Sequence, residues 1–137
     1  MDDLVQWLRA QLDEDERIAR AAASVRGPDW WFEGYFEDMD GQVLAGMVLD
    51  RGSSAVRSLA MTTRSDAEGE HAVRHDPARV LRQVDAERRL LDVHALNGWV
   101  CDTCDNGEVE QTFPCLTLRL LALPYADRPG YREEWRP

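Results

Sequence analysis

The stretch from His94 to Cys115, HALNGWVCDTCDNGEVEQTFPC, holds all three cysteines of the 137-residue chain and reads as H-x6-C-x2-C-x10-C. A C-x2-C pair presents two sulfurs from one tight turn. Asn106-Gly107 between β-like flanks is a hairpin signal. It predicts a strand through Cys101 with the pair on its turn, and a return strand over 108–113. Pro114 then opens a short helix, Cys115 to Leu123, which Pro124 ends. A hairpin return followed by a helix start brings the Cys115 sulfur towards Cys101 and Cys104. Zinc takes four tetrahedral ligands, usually thiolates or imidazoles. The positions three and four after Cys115 are Leu118 and Arg119, so the fourth ligand comes from elsewhere. His94 is nearest in sequence, with His71 or His75 as alternatives and Asp102 or Asp105 behind them. The expectation is a structural zinc knuckle held by Cys101, Cys104, Cys115 and His94.

Working upstream, His94 falls in the last turn of a predicted helix. Asp76-Pro77 opens it, with Asp76 as N-cap and Pro77 at the first helical position. Val80, Leu81, Val84, Leu91 and Ala95 should form its buried side, with Arg79, Arg82, Arg88 and Arg89 largely outside it. Ser65 and Glu68 stand at capping-box spacing and predict a short helix to about Arg74. Before that, residues 30–64 are β-rich: Trp30 to Phe36, Gln42 to Asp50 and Ala55 to Thr63, separated by turns at Asp40-Gly41 and 51–54. They read as a three-stranded antiparallel meander. The aromatic group Trp30, Trp31, Phe32, Tyr35 and Phe36 reads as sheet core rather than as a ligand platform.

The first 26 residues read as one amphipathic helix. Leu4, Trp7, Leu8, Gln11, Leu12, Asp15, Ile18, Ala19 and Ala22 follow helical spacing, and Gly27-Pro28 stops the run. Arg17 and Arg20 stand four residues after Asp13 and Glu16. At the other end, the tail 124–137 should lie extended on the surface, anchored by Tyr125, Tyr131 and Trp135, with Trp135 packed down. The whole is an α+β chain of a length that suits a single domain, 1–137: N-terminal helix (1–26), β meander (30–64), helices (65–95), knuckle and short helix (98–123), and tail.

Composition narrows the function. The chain carries 26 acidic and 16 basic residues, for a formal net charge of −10, and every basic residue is arginine. Residues 1–50 hold 12 acidic and 4 basic residues, and an acidic half of this kind repels phosphate backbones. Nucleic acid is therefore not the expected partner. The basic run Arg74, Arg79, Arg82, Arg88 and Arg89 more readily answers the acidic N-terminal helix, within the chain or across a dimer. No apolar run approaches the roughly 18 residues of a membrane span. Met1-Asp2-Asp3 lacks the basic and apolar regions of a secretory signal, and three cysteines, an odd number, do not suggest a disulfide framework. A cytoplasmic location is expected.

No phosphate-binding glycine loop, dinucleotide fingerprint or nucleophile elbow is present. His71 and His75 form H-x3-H, but Asp76-Pro77 breaks the helix after His75, and no glutamate follows His71. A metal-dependent hydrolase at His71 and His75 is thus one enzymatic alternative, and a thiol oxidoreductase at Cys101 and Cys104 is another. The second is opposed by Asp105-Asn106-Gly107, which denies the pair a helix N-terminus. With no nucleophile–base pair in view, the leading expectation is a non-enzymatic interaction or regulatory module with a structural zinc. Its expected partner is a basic protein that meets the acidic N-terminal half. The Trp7 stripe also offers a homodimer face.

The chain resembles a family of small uncharacterised proteins from Streptomyces, other actinobacteria and their phages. The residues that carry the resemblance are Met1 to Val5, Gly27-Pro28 followed by Trp30, and His71 to Arg82. It continues through the C-x2-C pair to Pro114–Arg119 and Tyr125–Trp135. Members usually show a Pro-Gly-Pro-Trp-like turn, where this chain has Arg26-Gly27-Pro28-Asp29-Trp30. The resemblance implies an actinobacterial or phage-linked origin and no particular activity.

Overall fold

The computed structural model describes residues 3–37, 39–50, 59–105, 107 and 113–137. It is α+β: among the described residues there are four α-helices, a three-stranded and a two-stranded antiparallel sheet, and two 3-10 turns. The chain forms two compact units, Met1–Glu14 with Val84–Pro137, and Asp15–Gln83.

The first unit begins with the front of helix α1 (Asp3–Arg26), which buries Leu4, Leu8 and Leu12 almost completely. Spacing of four residues puts these on one face. The back of α3 (Pro77–Val93) adds Val84 and Leu91, and α4 (Leu116–Ala122) adds Leu118 and Ala122. Ala95, expected on the buried side of α3, is exposed instead, because the helix has ended and the chain has turned into a strand.

Trp7 packs against Tyr131 and Trp135, with ring centroids 5.7 and 5.4 Å away, and reaches Tyr125 at 6.5 Å. Its indole N–H donates to the Pro129 carbonyl at 3.1 Å. Gly130, at φ +87°, lies so close under this indole that a Cβ would meet it at 2.9 Å. The Trp7 ring is therefore engaged within its own chain. The tail that holds it folds through 3-10 turns at Leu123–Tyr125 and Glu133–Trp135 rather than running extended. Pro124 sits in the first of these turns, where a missing N–H is tolerated, and prolongs the helical course. Trp135 is buried, as expected.

Three ion pairs cross this unit: Arg9 to Asp92 at 2.8 Å, Arg88 to Asp13 at 2.6 Å and Arg132 to Asp3 at 3.0 Å. Of the basic run after the sheet, Arg88 answers the acidic helix, whereas Arg89 pairs with Asp85 on its own helix and Arg79 with His75. The three crossing pairs are largely solvent-exposed, and each contributes about 0–1 kcal/mol.

The second unit holds the expected meander: β1 (Trp30–Glu37), β2 (Val43–Asp50) and β3 (Leu59–Thr63), in the order β1-β2-β3. Phe32 stands opposite Val48, Gly34 opposite Gly46, and Val48 opposite Met61, with an irregularity between Val48 and Leu49. The start of the predicted third strand, residues 55–58, lies outside the described residues, as do the side chains of Tyr35 and Phe36. Helix α2 (Asp66–Arg74) packs across all three strands. Gly46 on β2 and Gly69 on α2 both face the Phe32 ring, and a Cβ at either position would overlap it. Phe32 is thus packed, half-buried, between the sheet and α2.

The helix starts follow the capping signals. Ser65 accepts the Glu68 N–H at 3.3 Å, while Glu68 reaches back to the N–H of Arg64, one residue before the cap. Asp76 accepts the Arg79 N–H at 2.8 Å through one oxygen and the Trp30 N–H at 3.1 Å through the other. One carboxylate therefore starts α3 and fixes the first residue of β1. In the rear half of α1, Arg20 pairs with Glu16 at 2.6 Å, and Ala19 is buried. Ile18, placed on the apolar stripe, is 52% exposed.

Candidate metal centre

His94 is the residue just past α3. Its N–H still donates to Leu90 at 3.1 Å, so the helix sets its direction. Two short strands follow, β4 (Leu96–Asn97) and β5 (Val100–Cys101), paired Leu96 to Cys101 and Asn97 to Val100. Gly98, at φ +64°, and Trp99 form the turn between them. This hairpin differs from the expected one. Its two central residues are Gly98 and Trp99, with Asn97 still in the strand opposite Val100. Most of the expected return strand, 108–112, lies outside the described residues.

The hairpin delivers Cys101, and the chain then wraps around that sulfur. The Asp105 N–H donates to the Cys101 carbonyl at 3.0 Å, closing a turn that carries Cys104. The Thr103 hydroxyl donates to the Val93 carbonyl, tying this turn to the end of α3. Asp102 is held twice, by its N–H on Ala95 O at 2.9 Å and by the Asn97 amide on its carboxylate at 2.9 Å. Cys115 arrives as the N-cap of α4, just after a cis Phe113-Pro114 bond, and its side chain makes no capping hydrogen bond. Thr103 and Asn97 were not singled out from the sequence, since a supporting hydroxyl or amide has no spacing signature of its own.

The result brings together all four residues expected as ligands. The His94 Nδ1 atom lies 3.4 Å from the Cys101 sulfur, 3.4 Å from the Cys104 sulfur and 3.6 Å from the Cys115 sulfur. All the ligand atoms fall within 4.8 Å of one another. His94, Cys101 and Cys115 are buried, Cys104 is partly exposed, and all three thiols are free. Hydrogen bonding cannot account for three such contacts, because a neutral imidazole nitrogen carries one proton or one lone pair, not three. A tetrahedral ion can. Bonds of about 2.3 Å to sulfur and about 2.0 Å to nitrogen imply a nitrogen–sulfur edge of roughly 3.6 Å.

The thiols differ in acidity. Burial raises the Cys101 pKa, but the N–H groups of Cys104 and Thr103 and the neighbouring thiols outweigh it, and the net shift is downward. Cys104 is pushed up to about 11 by burial and by the other two cysteines. Three thiols crowded together cannot all ionise without a compensating positive charge.

His71 and His75 lie elsewhere, at the end of α2 and on its C-cap. Both are exposed, with ring centroids 4.5 Å apart. Arg79 donates to His75 Nδ1 at 2.8 Å, and the His75 pKa is lowered by desolvation, by Arg79 and by His71. Among the described residues, the His94 cluster is the one group of three or more His, Cys, Asp or Glu side chains close enough to share an ion. No helix among them is long and apolar enough to cross a membrane.

Fold and cluster together define a small α+β protein with a candidate three-cysteine, one-histidine metal centre. The chain belongs to the family of unknown function DUF6221, which matches it over residues 1–137. No curated protein and no solved structure matches it.

Proposed function

We propose that the chain is a non-enzymatic interaction or regulatory module whose fold is held by one structural zinc ion. The ligands are His94 through Nδ1, Cys101, Cys104 and Cys115. The observation that carries this reading is the meeting of one imidazole nitrogen with three sulfurs at 3.4, 3.4 and 3.6 Å. Three soft thiolates and an imidazole in tetrahedral array suit zinc, and four protein ligands leave no open position for substrate, the mark of a structural site. Reduced thiols of this kind belong in a cytoplasmic setting. A module of this sort acts through a protein partner, and the charge of −10 favours a basic one.

The enzymatic alternatives have less behind them. A hydrolase at His71 and His75 needs free imidazoles, whereas His75 Nδ1 is occupied by a guanidinium that also repels a cation. A thiol oxidoreductase needs an accessible, activated thiol at a helix N-terminus, whereas Cys101 is buried on a strand.

Metal analysis of the purified wild type, Cys104→Ser and His94→Ala, with thermal melts, tests the reading. The expected outcome is one zinc per chain, lost from both variants with a fall in melting temperature on the order of 10 °C. Wild-type protein without metal sinks the proposal, and zinc retained by His94→Ala removes His94 from the ligand set.

A further inference from the structure

The unit that carries the cluster leaves apolar surface uncovered on the same hairpin. Trp99, at the tip of the β4–β5 turn, is 91% exposed. Three residues earlier, exposed Leu96 lines a groove of about 360 Å³ walled by Val5, Leu91 and Phe113, with the Arg9–Asp92 pair at its edge. An indole held in water on a turn with a short two-strand stem is costly surface. Tryptophan is also the side chain most enriched at the energetic centres of interfaces. The turn is held at both ends, with His94 before β4 and Cys101 at the end of β5 both in the cluster. With the ion bound, the backbone of the turn is anchored at both ends, which lowers the ordering cost of binding.

Charge decides what the occupant is. From Leu90 to Leu118 the sequence has five carboxylates, Asp92, Asp102, Asp105, Glu108 and Glu110, and no lysine or arginine. Asp102 and Asp105 are exposed. Arg9 is the cation at the groove, and Asp92 pairs with it. A second copy would bring its own Asp102 and Asp105 and a further −10, and nucleic acid or an anionic bilayer would bring phosphates. Each is repelled at close range. A chain segment with arginine or lysine beside a bulky apolar residue is attracted by both features.

We propose that the Gly98–Trp99 turn and the groove beside Leu96 dock a basic amphipathic segment of another protein. One large apolar side chain of that segment fills the groove, Trp99 covers its apolar face, and its cations face Asp102 and Asp105. This rests on the zinc reading above, since the metal is what fixes the two ends of the hairpin.

The test is selection of a displayed library of random 12-residue peptides on the immobilised, full-length, zinc-loaded protein, with counter-selection on Trp99→Ala. Enriched peptides should interleave arginine or lysine with bulky apolar residues. They should bind Trp99→Ala at least about tenfold more weakly and lose affinity as salt is raised. No enrichment, enrichment without basic residues, or equal binding to Trp99→Ala overturns the proposal. So does a wild-type dimer in sedimentation equilibrium that Trp99→Ala abolishes, which would make a second copy the occupant. Zinc content and melting temperature, unchanged in Trp99→Ala, separate the two readings. Wild type without zinc fails the metal centre itself, whereas wild type with zinc and no selective binding fails the docking surface alone.

Discussion

Phe32 fits because two other residues have no side chain. Gly46 and Gly69 face its ring from a strand and a helix, and neither is at a positive φ, so space and not backbone conformation demands glycine there. Gly69→Ala should destabilise the protein by about 1–3 kcal/mol, the usual range for overpacking a core. Phe32→Leu in the same chain should restore part of that loss, because the two changes share one volume. Urea denaturation of the single and double variants measures both. If the losses simply add, the ring is not what the methyl group meets. The sequence does not disclose this pairing, since a glycine mid-helix reads only as a poor helix former. His94 was legible for the opposite reason. It lies three residues past Leu91 on a helical face, and three cysteines follow at short spacings, which put it ahead of His71, His75, Asp102 and Asp105 as the fourth member of the cluster.

Asp76 shows how one side chain can serve two elements. Its oxygens accept the Arg79 N–H at the start of α3 and the Trp30 N–H at the start of β1. Asp76→Ala removes a helix cap and leaves a partly buried amide without its acceptor, a loss of about 2–3 kcal/mol in chemical denaturation. Asp76→Asn keeps a single side-chain oxygen to accept and should lose roughly half as much. An asparagine variant as weak as the alanine one would mean that the charge, not the acceptor count, matters. The cap was visible in Asp76-Pro77, but its second bond was not, because no local rule links positions 30 and 76. The strands and helices were readable wherever a capping residue, proline or alternating run marked them. The hairpin turn was harder to place. The strand pair that brings Cys101 to His94 turns at Gly98-Trp99, whereas the hairpin expected at Asn106-Gly107 falls mostly outside the described residues. Likewise Pro124 reads as a stop, yet 3-10 geometry accommodates it.

For the molecule as a whole, the candidate metal centre draws its four side chains from one local window, so the influence of the proposed ion should be bounded. Chelating the proposed zinc should speed hydrogen exchange at the amide of His94 and at those of Asp102, Asp105 and Arg119, whose acceptors are the carbonyls of Ala95, Cys101 and Cys115. The bonds of Trp30 to Asp76 and of Ala78 to Pro28 should keep their protection. Exchange followed by mass spectrometry reads both. Uniform loss across β1, β2 and β3 would show that the ion holds far more than its own unit. The division of the chain has one more effect, on the order in which the protein is made. Asp15–Gln83 is continuous, whereas the other unit joins the beginning of the chain to Val84–Pro137. Trp7 leaves the ribosome 122 residues ahead of the Pro129 carbonyl that receives its indole. The front of α1 is thus made well before its partners, and the Trp7 indole stays without its cover until Tyr131 and Trp135 emerge.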